Sequence, residues 1–264
     1  MHQSLRFQWN GLVFDISAII MMIVTSLVVV LLLVALTRNL TAGVPKGKQN
    51  LVEWFADFVQ GIAGGFMKPK VAAGFITLGL TLLLYIFVGN QLGLVLNINT
   101  SHHEVSESLM DKLTTATSPE AAEAKRQVIE EELHNPEGHG VVVSWWKSPT
   151  ATPSVTFALA IAVLLYSHYL GIRKSFGGWA KHTFLNPIHL LEEIVIKPLT
   201  LPLRLFGNIF AGEVLIAFLL GVGIFGTIPL LVWLGYSVFV GTIQTYIFVT
   251  LTMVYISQQI NDQH

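Results

Sequence analysis

Long uncharged apolar runs alternate along this chain with short basic connections and one long acidic one. Residues 16–36 carry no charge, and a bilayer crossing takes about 20 apolar residues, so they are predicted to span. Trp9 ahead of them suits an interfacial anchor. Gly43 and Pro45 end that helix, among Arg38, Lys46 and Lys48. Residues 49–67 read differently. Leu51, Phe55, Phe58 and Ile62 fall on one helical stripe, with Glu53, Asp57 and Gln60 on another. That pattern predicts an amphipathic helix lying at the interface or packed on a partner helix, or else a plain surface helix. Residues 71–96 form a second uncharged span. Near its far end, Asn90 and Gln91 either cap the helix or line a wet cavity.

Residues 98–154 are the one sizeable polar region, where acids outnumber Lys112, Lys125, Arg126 and Lys147. Ser118-Pro119-Glu120 is a helix start and Asn135-Pro136 a stop, which predicts a solvated helix over 119–134. Trp145 and Trp146 look like a belt where the chain re-enters the membrane. Residues 155–172 give a third span, with His168 read as a satisfied interfacial histidine. Residues 186–220 and 229–260, as helices, would be about 52 Å and about 48 Å long. Both exceed a hydrocarbon core of about 30 Å. Gly221 to Gly226 join them tightly, so the pair forms a hairpin that must tilt, kink or protrude. Pro198 and Pro202 are the expected kink sites.

The predicted fold is an all-α integral membrane protein, one membrane domain over residues 1–264. It has about five membrane-embedded helices, one amphipathic interfacial helix and a closing long tilted helical hairpin. Composition agrees with this: 53% of residues are hydrophobic and 12% charged. A net charge of −1 gives no bulk attraction to nucleic acid. The chain has no cysteine, which excludes disulfides and cysteine-based metal sites. His102, His103, His134 and His139 lack metal-site spacing, and no metal or cofactor is expected. The first apolar run follows Asp15 and not a basic leader, so it reads as a span and not a cleaved signal. Arg38, Lys46, Lys48, Lys68, Lys70, Arg173, Lys174, Lys181 and Lys197 fall on one side of the predicted bundle. The positive-inside rule places that side in the cytoplasm, with the N-terminus outside and the C-terminus inside.

Arg204 breaks the apolar pattern. It lies within Arg204-Leu-Phe-Gly-Asn-Ile-Phe-Ala-Gly-Glu213, between apolar flanks. An arginine at bilayer depth costs about 2.5–3.5 kcal/mol on insertion scales, and it cannot shed its proton. Asn208, four residues on, shares its face. Glu213, nine residues on, lies on the opposite face and about 13 Å along the axis. An ion pair within the helix is therefore excluded, and Arg204 is expected to face a carboxylate on another chain. Glu193, eleven residues before Arg204, would share its face about 16 Å away in an ideal helix. Glu192 and Glu193 are either a solvated interfacial pair or a proton-collecting mouth. On the last helix Ser237, Gly241, Gln244, Tyr255 and Gln259 fall along one stripe. The stripe is either a helix seam or, beside Arg204, Asn208 and Glu213, part of an ion path. Asp15 is either an N-terminal helix charge or a lining group of an outer path.

The run from Lys197-Pro198 to Glu213, with its Arg-Leu-Phe-Gly-Asn-x-x-Ala-Gly-Glu core, resembles subunit a of the membrane sector of F-type ATP synthases. The closing Gln244-Thr-Tyr-Ile-Phe-Val-Thr-Leu-Thr-Met-Val-Tyr255 resembles that family's last helix. The resemblance implies a stator proton-channel subunit in a bacterial plasma membrane. Two offset half-channels would serve a rotating ring of small carboxylate-bearing hairpin subunits (subunit c). The outer one would be lined by Glu213, Ser237, Gln244, Asp15 and Asn90, and the cytoplasmic one would open near Glu192 and Glu193. Arg204 would separate them, with Asn208 and Tyr255 along the path. Peripheral-stalk subunit b and, indirectly, the catalytic head are the other implied partners, and ATP chemistry would lie on other subunits. Where this family often has a histidine or carboxylate, the chain has Ser237, which does not titrate. A channel or secondary ion transporter subunit is the alternative, but the paired internal repeats usual there are not found. A structural membrane scaffold would explain the spans and leave Arg204 unexplained.

Overall fold

The computed structural model describes residues 3–41, 43–44, 46–96, 98–134, 140–184 and 187–260. Pro45, Asn135, Pro136, His139 and Asn186, singled out above, lie outside them. The first elements are strands, which the apolar pattern did not predict. β1 (Arg6–Trp9) and β2 (Leu12–Asp15) form an antiparallel hairpin. Its turn is Asn10-Gly11, with φ of 50° and 80°. A two-residue turn with positive φ at both positions matches the right-handed twist of the strands, and Asn-Gly is the pair that adopts it most readily. Phe7 stacks on Phe14 across the hairpin at 5.2 Å.

The helices follow in order. They are α1 (Ile16–Thr37), α2 (Lys48–Gly64), the short α3 (Pro69–Ala72) leading through a 3₁₀ turn into α4 (Ile76–Leu96), and then α5 (Glu107–Thr114) and α6 (Pro119–His134). α7 (Pro153–Lys174), α8 (Phe176–Phe184), α9 (Pro187–Leu191), α10 (Lys197–Gly221) and α11 (Thr227–Ile260) complete the chain. Five helical stretches are long and apolar enough to cross a membrane: Ile16–Thr37, Pro69–Leu96, Pro153–Lys174, Pro187–Gly221 and Gly223–Ile260. The protein is thus an all-helical, multi-pass membrane protein with two small sheets at one end of the bundle.

The second sheet pairs β3 (Asn99–His102) with β4 (Val141–Ser144), antiparallel. It draws together the two ends of the polar region, in which the predicted helix over 119–134 forms as α6. Gln3 bridges to Val143, which ties the first hairpin to this sheet. Leu5, Met110, Leu113, Ile129, Val141 and Val143 are buried together, so this end of the molecule has its own small apolar core. The larger core lies in the bundle, where Val59, Ala63, Leu82, Ile86, Ala160, Leu205, Phe248, Val249 and Met253 interlock.

α2 buries a face shifted from the predicted one. Phe55 and Ile62 of the predicted stripe pack on the core and Val59 and Ala63 are fully buried, whereas Leu51 and Phe58 are exposed and Trp54 stacks on Phe58 at 5.9 Å. The face is shifted because α2 packs against α4 and α11, with Phe58 reaching Tyr246 at 5.9 Å and Trp54 left exposed. Close approach there depends on Gly79. A Cβ at that position would meet Val59 Cγ1 at 2.5 Å and Met253 Cε at 2.6 Å. Small residues let membrane helices pack at such distances, where lipid gives no hydrophobic drive between them. Gly79→Ala is therefore expected to destabilise the bundle by about 1–3 kcal/mol, read as a lower melting temperature of the complex in detergent.

The long hairpin also departs from expectation. The helix entering it leaves α geometry at Glu192–Ile196, a π turn, ahead of Pro198. The N–H of Lys197 reaches back to the Glu192 carbonyl, five residues away. Proline has no N–H to donate and its ring crowds the preceding turn, so a widened turn just before it relieves both demands. α11 begins at Thr227, with Pro229 inside its first turn, where a missing N–H costs nothing. Burial is lowest in this hairpin. Of the most apolar stretch of Pro187–Gly221 only 11% is buried, and of Gly223–Ile260 only 6%, against 39% for Pro153–Lys174.

Candidate functional site

Three polar clusters lie along α10. Between the other two stands Arg204, in the third turn of α10, exposed as are Leu199, Leu203 and Phe210. Its guanidinium makes no hydrogen bond or ion pair with a described residue, although Tyr255 lies within its electrostatic reach. One turn on, Asn208 Nδ2 donates to Gln244 Oε1 at 2.8 Å, joining α10 to α11. Gln244 is 2% exposed.

The second cluster surrounds Glu213, toward the sheet-bearing end. A cavity of about 170 Å³ is lined by Asn90, Ser148, Asn208, Glu213, Trp233 and Ser237, among others. That is several times the space one buried water needs. Gly212 faces Ser237 across the cavity, where a Cβ would lie 4.0 Å from Ser237 Oγ. Among the described residues, Glu213 Oε1 and Ser237 Oγ, both shut off from the surface, have no hydrogen-bond partner. Buried polar atoms are normally paired, and here two unpaired ones lie on one cavity. Asn90 does not cap its helix: α4 runs on to Leu96. Its amide instead donates toward the Gly241 carbonyl at 3.5 Å, while its carbonyl oxygen accepts from Ser148 at 3.2 Å and from Thr150. Gln91 likewise turns to α11, donating to the Val238 carbonyl at 3.4 Å.

Asp15 stands outside this cavity. It caps α1, its Oδ1 accepting from the Ala18 N–H at 3.0 Å, and it pairs with Lys147 at 2.6 Å. Burial alone would raise its pKa. The charge and hydrogen bond of Lys147, with Ser4 and Ala18, outweigh that and hold the carboxyl below the ordinary carboxylate range.

The third cluster, at the opposite end, is not a solvated pair. Glu193 and Lys197 are both buried, 5% and 3% exposed, and their charged atoms meet at 2.5 Å. Lys197 also donates to Gln258 Oε1 at 2.8 Å and lies 5.0 Å over the Tyr255 ring. Gln259 donates to Glu193 at 3.1 Å, and His168 Nε2 lies 3.4 Å from its other oxygen. The Trp179 indole donates to His168 Nδ1 at 3.1 Å, which puts the imidazole proton on Nε2, facing Glu193. Glu192 stays half-exposed, 3.5 Å from Lys197. Lys197, counted above as a loop cation, is thus an interior ion partner. His168 is satisfied, as read, but by a buried carboxylate and not by the interface. The π turn also cancels the predicted alignment of Glu193 with Arg204: one is buried and the other exposed.

Ser148, Thr150, Trp233 and Tyr236 line or support the Glu213 cavity and were not singled out in the sequence. No local pattern marks them. Ser148-Pro-Thr150 reads as an ordinary turn, and its partners are about sixty residues away in sequence. His102 bonds the Thr100 hydroxyl, and His134 bonds the Glu130 carbonyl.

Comparison with known proteins agrees in one direction. A family profile described as ATP synthase A chain matches residues 19–257. The ATP synthase subunit a of Priestia megaterium is 40% identical over 276 residues, covering 100% of this chain and 99% of the relative. That of Bacillus pumilus is 37% identical over 284 residues, with 100% and 99% covered. That of Listeria welshimeri is 40% identical over 269 residues, with 96% and 95% covered.

Proposed function

The chain belongs to the ATP synthase subunit a family, and on that premise we propose that it carries protons through two offset half-channels separated by Arg204. The observation that carries this reading is the order of clusters along α10. By helical rise Glu213, on its buried cavity, lies about 13 Å along the axis to one side of Arg204, and Lys197, the near end of the network with Glu192 and Glu193, lies about 10 Å to the other. Between them the arginine is exposed on the least buried face of the bundle.

The outer half-channel runs from Asp15 at its rim past Asn90 to Glu213, Ser237 and Gln244. The cytoplasmic half-channel opens at Glu192 and reaches Glu193 and Tyr255. The exposed face bearing Arg204 and Asn208 receives a ring of small hairpin subunits, each with one protonatable carboxylate. Arg204 stabilises that carboxylate in its ionised form as it passes, and so favours release of its proton. Because a guanidinium holds its own proton, it blocks direct passage between the two paths. Each charge crossing 100 mV supplies about 2.3 kcal/mol, which ring rotation takes up. Subunit b and the catalytic head complete the complex, in a bacterial plasma membrane with the sheet-bearing end outside.

Paired thiols test the separation of the paths in this cysteine-free chain. In vesicles holding the whole complex, a small water-soluble thiol reagent should reach Ser237→Cys only from outside and Thr200→Cys only from the cytoplasm. Reaction of both thiols from one side would mean a continuous pore, which is the behaviour of a channel subunit.

A further inference from the structure

Residues 145–152 fold back from the sheet end into the bundle, and most of the segment is buried. Ser148 and Thr150 are each 1% exposed. Ser148 sits so close to α4 that a Cβ at Gly93 would come within 2.5 Å of Ser148 Cα. The hydroxyls of Ser148 and Thr150 hold the Asn90 carbonyl oxygen, and the Ser148 backbone N–H is close enough to act on the Glu213 carboxylate. This segment therefore covers the Glu213 cavity from the sheet side.

What holds it there is outside the cavity. Lys147, the residue before Ser148, bonds Asp15 Oδ2 at 2.6 Å, and that oxygen also accepts from Ser4 Oγ at 2.7 Å. Both charged side chains are mostly buried, 17% and 16% exposed, so the pair is not one of the weak surface bridges. Arg6, opposite Asp15 in the hairpin register, and Lys125 are the other cations near it. A second tether runs beside it, with Ser17 Oγ donating to the Ser144 carbonyl at 2.8 Å.

We propose that the Asp15–Lys147 ion pair is the clasp of a re-entrant cap, residues 145–152, and that the clasp positions Ser148 and Thr150 over the Glu213 cavity. Lys147 is a positioning residue in this account: it holds its neighbour Ser148 over the cavity, and its charge also lies within electrostatic reach of Glu213. Asp15, at the rim of that path, is the fixed end of the clasp. The assignment rests on the outer half-channel reading, and it predicts something that reading alone does not. Loss of a charge far from Glu213 in the sequence, at Asp15 or at Lys147, should loosen the cap locally.

The test uses the complete complex in vesicles, with Ser148→Cys as reporter and a bulky membrane-impermeant maleimide added on the outer side. Asp15→Asn removes the charge yet keeps a capping side chain for α1, and Lys147→Gln removes the other charge. Each should raise the labelling rate by about tenfold or more, because breaking a partly buried pair strands one charge. Their combination should label no faster than either alone, since both remove the same interaction, and Lys147→Arg should restore slow labelling. Proton flux should fall severalfold in the fast-labelling variants. Unchanged labelling in both single variants, or rates that multiply in the double, would overturn the clasp. Fast labelling with undiminished flux would overturn the positioning role. If Glu213→Gln itself leaves flux normal, the outer-path reading fails instead, and the labelling rates still decide whether the clasp exists.

Discussion

Arg204→Ala is expected to abolish coupled ATP synthesis while passive proton leak persists or rises. Under the proposed mechanism the two effects have opposite signs because the guanidinium does two things. Facing a ring carboxylate, it favours the ionised form, and an adjacent cation lowers a carboxylate pKa by about 1–3 units. Without it, deprotonation of the passing site becomes about 10- to 1,000-fold less favourable, at tenfold per unit. As a fixed charge between the half-channels it also repels protons, and alanine removes that barrier. A residue that merely helped conduction would lower synthesis and leak together. Lysine should not restore coupling: its ammonium is a compact point charge whose pKa falls when it is desolvated, so it can give up its proton. The measurement is synthesis and proton flux in vesicles, with assembly checked separately. Substantial coupled synthesis in Arg204→Ala would defeat the central claim.

Glu213→Gln should cut proton flux by about 10²-fold, the scale on which a positioned acid–base group contributes, while assembly is kept. Glutamine matches the size of the carboxyl and keeps its hydrogen-bonding capacity but does not titrate. The structure supplies no substitute. Ser237 lies across Gly212 from the site, and a hydroxyl there does not exchange protons in the physiological range. Asn90, Asn208 and Gln244 line or adjoin the cavity with amides. The next carboxylate toward the sheet end, Asp15, is committed to Lys147. Flux near normal in Glu213→Gln would mean that water in the cavity suffices and that the carboxylate is structural.

How much of this was legible in the sequence depended on the range of the interactions. Spanning segments announce themselves through composition, because lipid demands a continuous apolar run. Arg204 announces itself by contrast with that run. The stretch Trp9-Asn-Gly-Leu12 carried a hairpin signal of equal quality, but its flanking strands are four residues each and were overshadowed by the apolar run that follows. The rotated face of α2 was not legible. Leu51 and Val59 are both apolar, and which of them meets α4 is decided by the gap that Gly79 leaves on a different helix. The ion partners Lys197 and Lys147 were visible only as loop cations. Their burial comes from how chain segments meet, Lys197 against Gln258 and Tyr255, Lys147 against Asp15.

The π turn at Glu192–Ile196 holds one residue more than an α turn would. Downstream side chains are thereby dialled about 100° around the axis relative to those upstream. Glu193 and Arg204 share one continuous rod yet point in independent compass directions, Glu193 inward to α7 and α11, and Arg204 outward. Removing a single residue within the turn would restore a uniform pitch and swing one group out of phase with its surroundings. The extra residue is thus a vernier that sets the azimuth of the arginine without moving the helix that carries it.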